Sequence, residues 1–131
     1  MADKARVLTV GLDPEVVDYD RTAIPGLTKE ILAAAIESAR IKLEEAGYRV
    51  HMLLTDTGAT AEAVVRQALE RESYDCVMIG AGVRAAPDQF LLFEKLINVI
   101  HRHAGPQTKI CFNTRPDDSV AAVQRWTGPG R

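Results

Sequence analysis

Residues 74–89 read YDCVMIGAGVRAAPDQ, and the order of signals in this stretch decides the fold. Cys76 to Ala81 carries no polar side chain, so it lacks the polar–apolar alternation of a half-solvated strand. A strand of this kind is covered on both faces, as in a parallel sheet. Gly80 closes the run. Pro87 sets the earliest start of the next helix, because proline has no N–H to give and bars Ala86 from the α region. The residues between, Gly80 to Ala86, then form a loose loop, with Gly80 and Gly82 allowing close backbone approach. Strand, glycine turn, helix is the junction from which α/β folds are built.

The alternation continues in both directions. Arg6 to Leu12 (RVLTVGL) reads as the first strand. A long loop, Asp13 to Leu27, leads to Thr28, an N-cap with Glu30 in the first turn and Leu27 placed to staple against Leu32. Leu32, Ile36, Ala39 and Leu43 recur at helical spacing, and Gly47 ends that helix. Tyr48 to Leu54 is the second strand. After the turn TDTGAT (55–60), Thr60 caps a second helix with Val64, Ala68 and Leu69 facing inward. A third helix spans Gln89 to Ala104, stopped by Gly105-Pro106; Lys109 to Asn113 is the fourth strand and Asp117 to Trp126 the last helix. Residues 1–126 thus form one α/β domain, followed by a flexible tail, 127–131. Strands separated by helices pair in parallel through right-handed crossovers. The expected architecture is a three-layer sandwich around a four-stranded parallel sheet in the order 2-1-3-4, flavodoxin-like or Rossmann-like.

Composition narrows the partners. In 131 residues, 47% are hydrophobic and 26% charged, with a net charge of −2, which is ordinary globular usage. Neither the charge nor the few aromatics favour nucleic acid. No apolar stretch is long enough for a membrane span, and the short apolar run near the N-terminus lacks a cleavage signature. Cys76 and Cys111 sit in strand-like runs without a C-x-x-C motif, which suits buried thiols in a reduced, cytoplasmic chain.

Ligands of doubly wound sheets bind outside the carboxyl ends of the strands, where neighbouring connections diverge. Here that point lies between the first and third strands. It gathers Asp13–Leu27, Thr55–Thr60, Gly80–Asp88 and Thr114–Asp118 on one rim. Gly80 to Ala85 matches the dinucleotide fingerprint G-x-G-x-x-A, but Pro87 separates it from the helix, and Asn113 stands where such folds carry the ribose-binding acid. Arg115 is the one feature there that suits a phosphorylated nicotinamide. Arg84 and Arg115, each just past a rim strand, suit a phosphate or carboxylate; the alternative is that they are exposed, or pair with Asp88, Asp117 or Asp118. The expected ligand residues are Asp13, Tyr19, Arg21, Gly80, Gly82, Arg84, Asn113 and Arg115, with the loop around Tyr19 and Arg21 closing over the ligand. The acids Asp13, Glu15, Asp18 and Asp20 match no cation cage, and His101 and His103 lie two apart, off a common helix face. No metal is assigned. Hydrolase and nucleoside-triphosphatase motifs are absent.

The stretch TDTGAT resembles the flavodoxin phosphate loop T-x-T-G-x-T, which implies Thr55, Thr57, Gly58 and Thr60 as phosphate-loop residues. In flavodoxins that loop follows the first strand rather than the second, and the flavin-stacking aromatics have no counterpart here. A turn capped by Thr60 explains the same residues. Receiver domains share the sheet type, but the acceptor aspartate that ends their third strand is replaced by Ile79-Gly80. The whole chain resembles small bacterial flavodoxin-like and receiver-like proteins of unknown function. In the third helix, Phe90, Phe93, Ile97 and Ile100 form one stripe, with Leu91, Leu92 and Val99 off it. That excess of apolar surface points to a homodimer through residues 89–104, with the 109–113 strand as an edge needing cover. The expected function is a module binding a small anionic ligand at the rim. The alternatives are a non-catalytic homodimeric interaction module and an oxidoreductase using flavin or NADP.

Overall fold

A computed structural model describes residues 4–22, 24–84 and 86–128. Its sheet has four strands, β1 (Arg6–Leu12), β2 (Arg49–Thr55), β3 (Cys76–Ile79) and β4 (Lys109–Phe112), all parallel in the order β2-β1-β3-β4. Among the described residues five helices accompany it: α1 (Lys29–Glu45), α2 (Ala61–Arg71), α3 (Ala81–Arg84), α4 (Phe90–His103) and α5 (Ser119–Thr127). This is the expected three-layer α/β sandwich. No helix among the described residues is long and apolar enough to cross a membrane.

The strand alternation sorts the core into two layers. Leu8, Val10 and Leu12 of β1 and Val77 and Ile79 of β3 pack with Val65 and Leu69 of α2 and Leu92, Leu96 and Ile100 of α4. On the opposite face, Val7, Cys76, Met78 and Cys111 pack with Leu43 of α1 and Ala122 and Val123 of α5. β3 is buried at all four positions, as its unbroken apolar sequence requires. The register pairs Leu12 with Thr55 and Val10 with Ile79, so β1, β2 and β3 end nearly level and their loops emerge on one rim.

Two local signals act where they were expected, at Thr28 and Gly47, whereas Thr60, expected to cap α2, makes no side-chain cap bond and donates its hydroxyl to Asp56 instead. Thr28 Oγ1 accepts the Ile31 N–H at 3.1 Å, an N-cap bond that satisfies one orphan donor of α1. Gly47 has φ +102°, and the N–H groups of Ala46, Gly47 and Tyr48 return to the carbonyls of Lys42, Glu44 and Leu43. The tail is tied further along than the sequence indicated: α5 includes Thr127, and the Tyr48 hydroxyl donates to the Gly128 carbonyl at 2.6 Å. Residues 129–131 lie outside the described residues.

Two details depart from the sequence reading. The loose loop after Gly80 is in fact a helical turn, α3. The Gly80 carbonyl accepts from the N–H groups of Val83 and Arg84, and Val83 is fully buried, so core anchorage sets this turn. Pro87 does exclude α3 from the long helix, which begins at Phe90 after a 3-10 turn, Pro87–Gln89. The inward stripe of α4 is rotated from the expected one: Leu92, Leu96 and Ile100 are buried, Phe93 and Ile97 are partly so, and Phe90 and Leu91 are exposed. Cys76 and Cys111 also meet across β3 and β4, with Sγ atoms 3.3 Å apart as buried free thiols. The hydrogen bond to Cys111, and then burial, push the Cys76 thiol well above its ordinary range.

Gly47→Ala is expected to lower the unfolding free energy by about 1–2 kcal/mol, because an L side chain strains in the left-handed region. Urea denaturation checks this, and a variant as stable as the parent would contradict the assigned cap.

Candidate functional site

The β1 side chains that face α1 shrink toward the rim, from Val7 to Thr9 to Gly11. On the other face Leu8, Val10 and Leu12 keep their bulk. Above the small residues, α1 is seated only by its C-terminal half: Ala39 and Leu43 are buried, whereas Leu32 and Ile36 remain half-exposed. The N-terminal half of α1 spans instead between the 3-10 turns at Pro14–Val16 and Pro116–Asp118. A cleft of about 850 Å³ results between helix and sheet. Thr9, Gly11, Met52, Leu54 and Met78 form its floor, and Leu32, Ile36 and Ala39 its roof. Its mouth lies at the carboxyl ends of β1 and β3, where Arg21, Gly80, Gly82, Asp88, Asn113, Thr114 and Arg115 converge.

The expected ligand residues therefore divide. Arg21, Gly80, Gly82, Asn113, Arg115 and Thr57 line the cleft; Asp13, Tyr19, Arg84, Thr55, Gly58 and Thr60 do not. Asp13 caps the turn at Pro14–Val16 by accepting the Glu15 N–H. Tyr19 donates its hydroxyl to the Pro14 carbonyl at 2.7 Å, and the Thr55 hydroxyl donates to the Gly11 carbonyl. Among the other loop acids, Asp18 accepts from the Asp20 N–H and Glu15 pairs with Lys29.

Asn113 is the brace of the rim. Buried at 5% exposure, its Oδ1 accepts the Ala81 N–H at 2.8 Å and its Nδ2 donates to Ser119 Oγ at 3.1 Å. Its carbonyl accepts from Arg84 Nη2 at 3.0 Å. One residue thus joins the end of β4 to the starts of α3 and α5. The first two N–H groups of the glycine motif are used internally, Gly80 by the Val10 carbonyl and Ala81 by Asn113, and Arg84 is a strut between two loops. Ala85, last residue of the fingerprint, lies outside the described residues.

The TDTGAT loop is likewise satisfied from within. The Asp56 carboxylate accepts the N–H groups of Gly58 and Thr60 and the Thr60 hydroxyl. It sits where a phosphate would have to sit to reach those donors. The Gly58 N–H, then the Thr60 hydroxyl and N–H, hold the Asp56 carboxyl below its ordinary value. Asp118 does a similar task on the last loop. Burial raises its pKa, but the Thr114 hydroxyl and the N–H groups of Thr114 and Arg115 outweigh that and leave it lowered.

The cations at the mouth both have acid partners. Arg21 pairs with Asp88 at 2.8 Å, joining the long loop to the β3–α4 connection, and Arg115 pairs with Asp117 at 2.6 Å. Exposed pairs of this sort contribute about 0–1 kcal/mol, so an incoming anion can replace either acid at little cost. The floor holds a different kind of group. Thr9 is 6% exposed, and its Oγ1 has no hydrogen-bond partner among the described residues. A second groove of about 630 Å³ runs between α2 and α4. It is lined by Glu62 and Glu94 together with Arg66, Lys95, Arg102 and His103, and Lys95 approaches Glu62 at 3.9 Å.

Fold and cleft together define a doubly wound parallel α/β domain with a roofed cleft at its topological switch point. Compared with known proteins, the chain matches no family model, no curated protein and no solved structure.

Sequence reasoning passed over Thr9, Met52, Met78 and Ile36 because they read as core. The taper Val7-Thr9-Gly11 on one strand face was the available signal. Thr9→Val removes an unsatisfied buried hydroxyl and is expected to raise the unfolding free energy by about 1 kcal/mol, measured by urea denaturation; a loss of stability would mean that the hydroxyl is already satisfied. For Asp56, a lowered folded-state pKa means stabilisation that is complete above the ordinary value of 3.8 and is lost as pH falls through the lower folded value. The melting-temperature gap between wild type and Asp56→Ala should therefore shrink under acid below about pH 3.8, and a gap that stays constant or widens there would contradict the assignment.

Proposed function

We propose that this chain is a small cytosolic α/β module that binds an anionic, carboxylate- or phosphate-bearing small molecule in the cleft beneath α1. The observation that carries the reading is the position of Arg21 and Arg115 at the mouth of a cleft of about 850 Å³. That size suits a small organic ligand, and guanidinium groups suit its anion. Gln89 and Gly82 at the mouth offer further polar groups. Among the described residues, the titratable side chains of the lining are Asp18, Arg21, Asp88 and Arg115. Flavin and NADP are less favoured as ligands, since the Ala81, Gly58 and Thr60 N–H groups that would meet their phosphates already have side-chain acceptors.

A thermal-shift screen with inorganic phosphate, carboxylates and nucleotides tests the proposal. Stabilisation by at least one anion is expected, together with roughly tenfold or greater weakening in Arg21→Ala/Arg115→Ala, as fits the loss of charge-assisted hydrogen bonds. Silence from every anion would defeat it.

A second reading, self-association through α4, is supported by Phe90 and Leu91. They are 61% and 65% exposed at the start of the helix, beside a sheet whose β4 edge is covered in part by Arg125 donating to the Phe112 carbonyl. Light scattering decides it: a dimer that Phe90→Lys converts to monomer supports the reading, and a monomer at micromolar concentration ends it.

A further inference from the structure

We infer that the ligand is amphipathic, with an anionic head at Arg21 and Arg115, an apolar body lying between α1 and the sheet, and a hydrogen-bonding group facing Thr9. This rests on the proposed use of the cleft and specifies the class of molecule. Phosphate or a short carboxylate would fill only the mouth of a space of about 850 Å³. Behind the mouth the surfaces are apolar, with Met52 and Met78 below and Leu32 and Ile36 above. Methionine side chains adjust readily to a flexible apolar partner. A sugar phosphate placed there would have several hydroxyls opposed by methyl and thioether groups, without hydrogen-bond partners.

Two independent features of the floor narrow the chemistry further. A Cβ built on Gly11 meets nothing within 4 Å, so the glycine is not demanded by packing of the protein against itself. It keeps the floor low at the centre of the sheet, between Leu54 and the end of β3. Thr9, one step deeper on the same strand face, contributes the unpartnered, nine-tenths buried hydroxyl. Buried hydroxyls are ordinarily hydrogen-bonded. A ligand whose body is apolar apart from one acceptor or donor at that depth completes the site, whereas a pure alkyl chain completes it only in part.

The test uses straight-chain carboxylates from butanoate to decanoate, with inorganic phosphate alongside, titrated calorimetrically into the full chain. Each methylene that enters the cleft is expected to tighten binding about fourfold. Gly11→Val, which raises the floor at a position where an added Cβ meets nothing within 4 Å, should abolish that gain, so that decanoate binds no more tightly than butanoate. Ile36→Trp, which lowers the roof, should do the same and serves if the strand variant fails to fold; circular dichroism monitors both. Among octanoates bearing a hydroxyl at successive carbons, one isomer should bind more tightly than octanoate in wild type and lose that advantage in Thr9→Val. Equal affinity at every chain length, with phosphate still bound, overturns the amphipathic assignment and leaves the anion-binding proposal standing. No binding of phosphate or of any acid overturns both. A chain-length gain that survives in folded Gly11→Val and Ile36→Trp puts the apolar body elsewhere and overturns the assignment, and indifference to hydroxyl position removes Thr9 from it.

Discussion

A parallel strand at the centre of a sheet must be covered on both faces, and β1 presents unequal surfaces to its two covers. Leu8, Val10 and Leu12 fill the layer beneath α2 and α4. Val7, Thr9 and Gly11 leave the other layer progressively thinner toward the rim. Anchored at Ala39 and Leu43, α1 does not follow that taper. It meets the sheet at one end, rests on two loop turns at the other, and roofs the space between. The cleft, the position of its mouth and the half-exposed Leu32 and Ile36 all follow from this mismatch of side-chain volume.

The rim around the cleft stays in place through buried polar groups rather than through glycine motifs. Asn113 bonds Ala81 and Ser119 with its side chain and Arg84 with its carbonyl. Asp56 and Asp118 organise their loops by accepting several N–H groups each. These acceptors satisfy donors that, in phosphate-binding loops, are left for the ligand. The same economy explains why the cleft's own charges are peripheral: its two arginines are held by exposed aspartates, in pairs weak enough to exchange.

Much of the site was legible because the rim of a doubly wound sheet follows from strand order alone. Arg21, Asn113 and Arg115 come together at the predicted switch point, each from a loop that follows a strand. What local sequence concealed was which donors remain free. Arg84 sits at a favourable distance along the chain, yet its guanidinium turns toward the Asn113 carbonyl, a contact 29 residues away. The α4 stripe was misread for a related reason. Helical periodicity offers several overlapping apolar faces when nearly every residue is apolar. The choice of Leu92, Leu96 and Ile100 depended on how α4 meets α2 and the sheet.

By itself the sequence determined the order of the four strands and the four longer helices, the parallel sheet, the N-cap at Thr28 and the glycine stop at Gly47, since each depends on neighbours within a few residues or on strand-length apolar runs. Only the tertiary structure decided that α1 stands off the sheet, that Thr9 is buried without a partner among the described residues, and that Cys76 meets Cys111. Those features depend on side-chain volumes and register across separate strands and helices, and local periodicity carries no record of either.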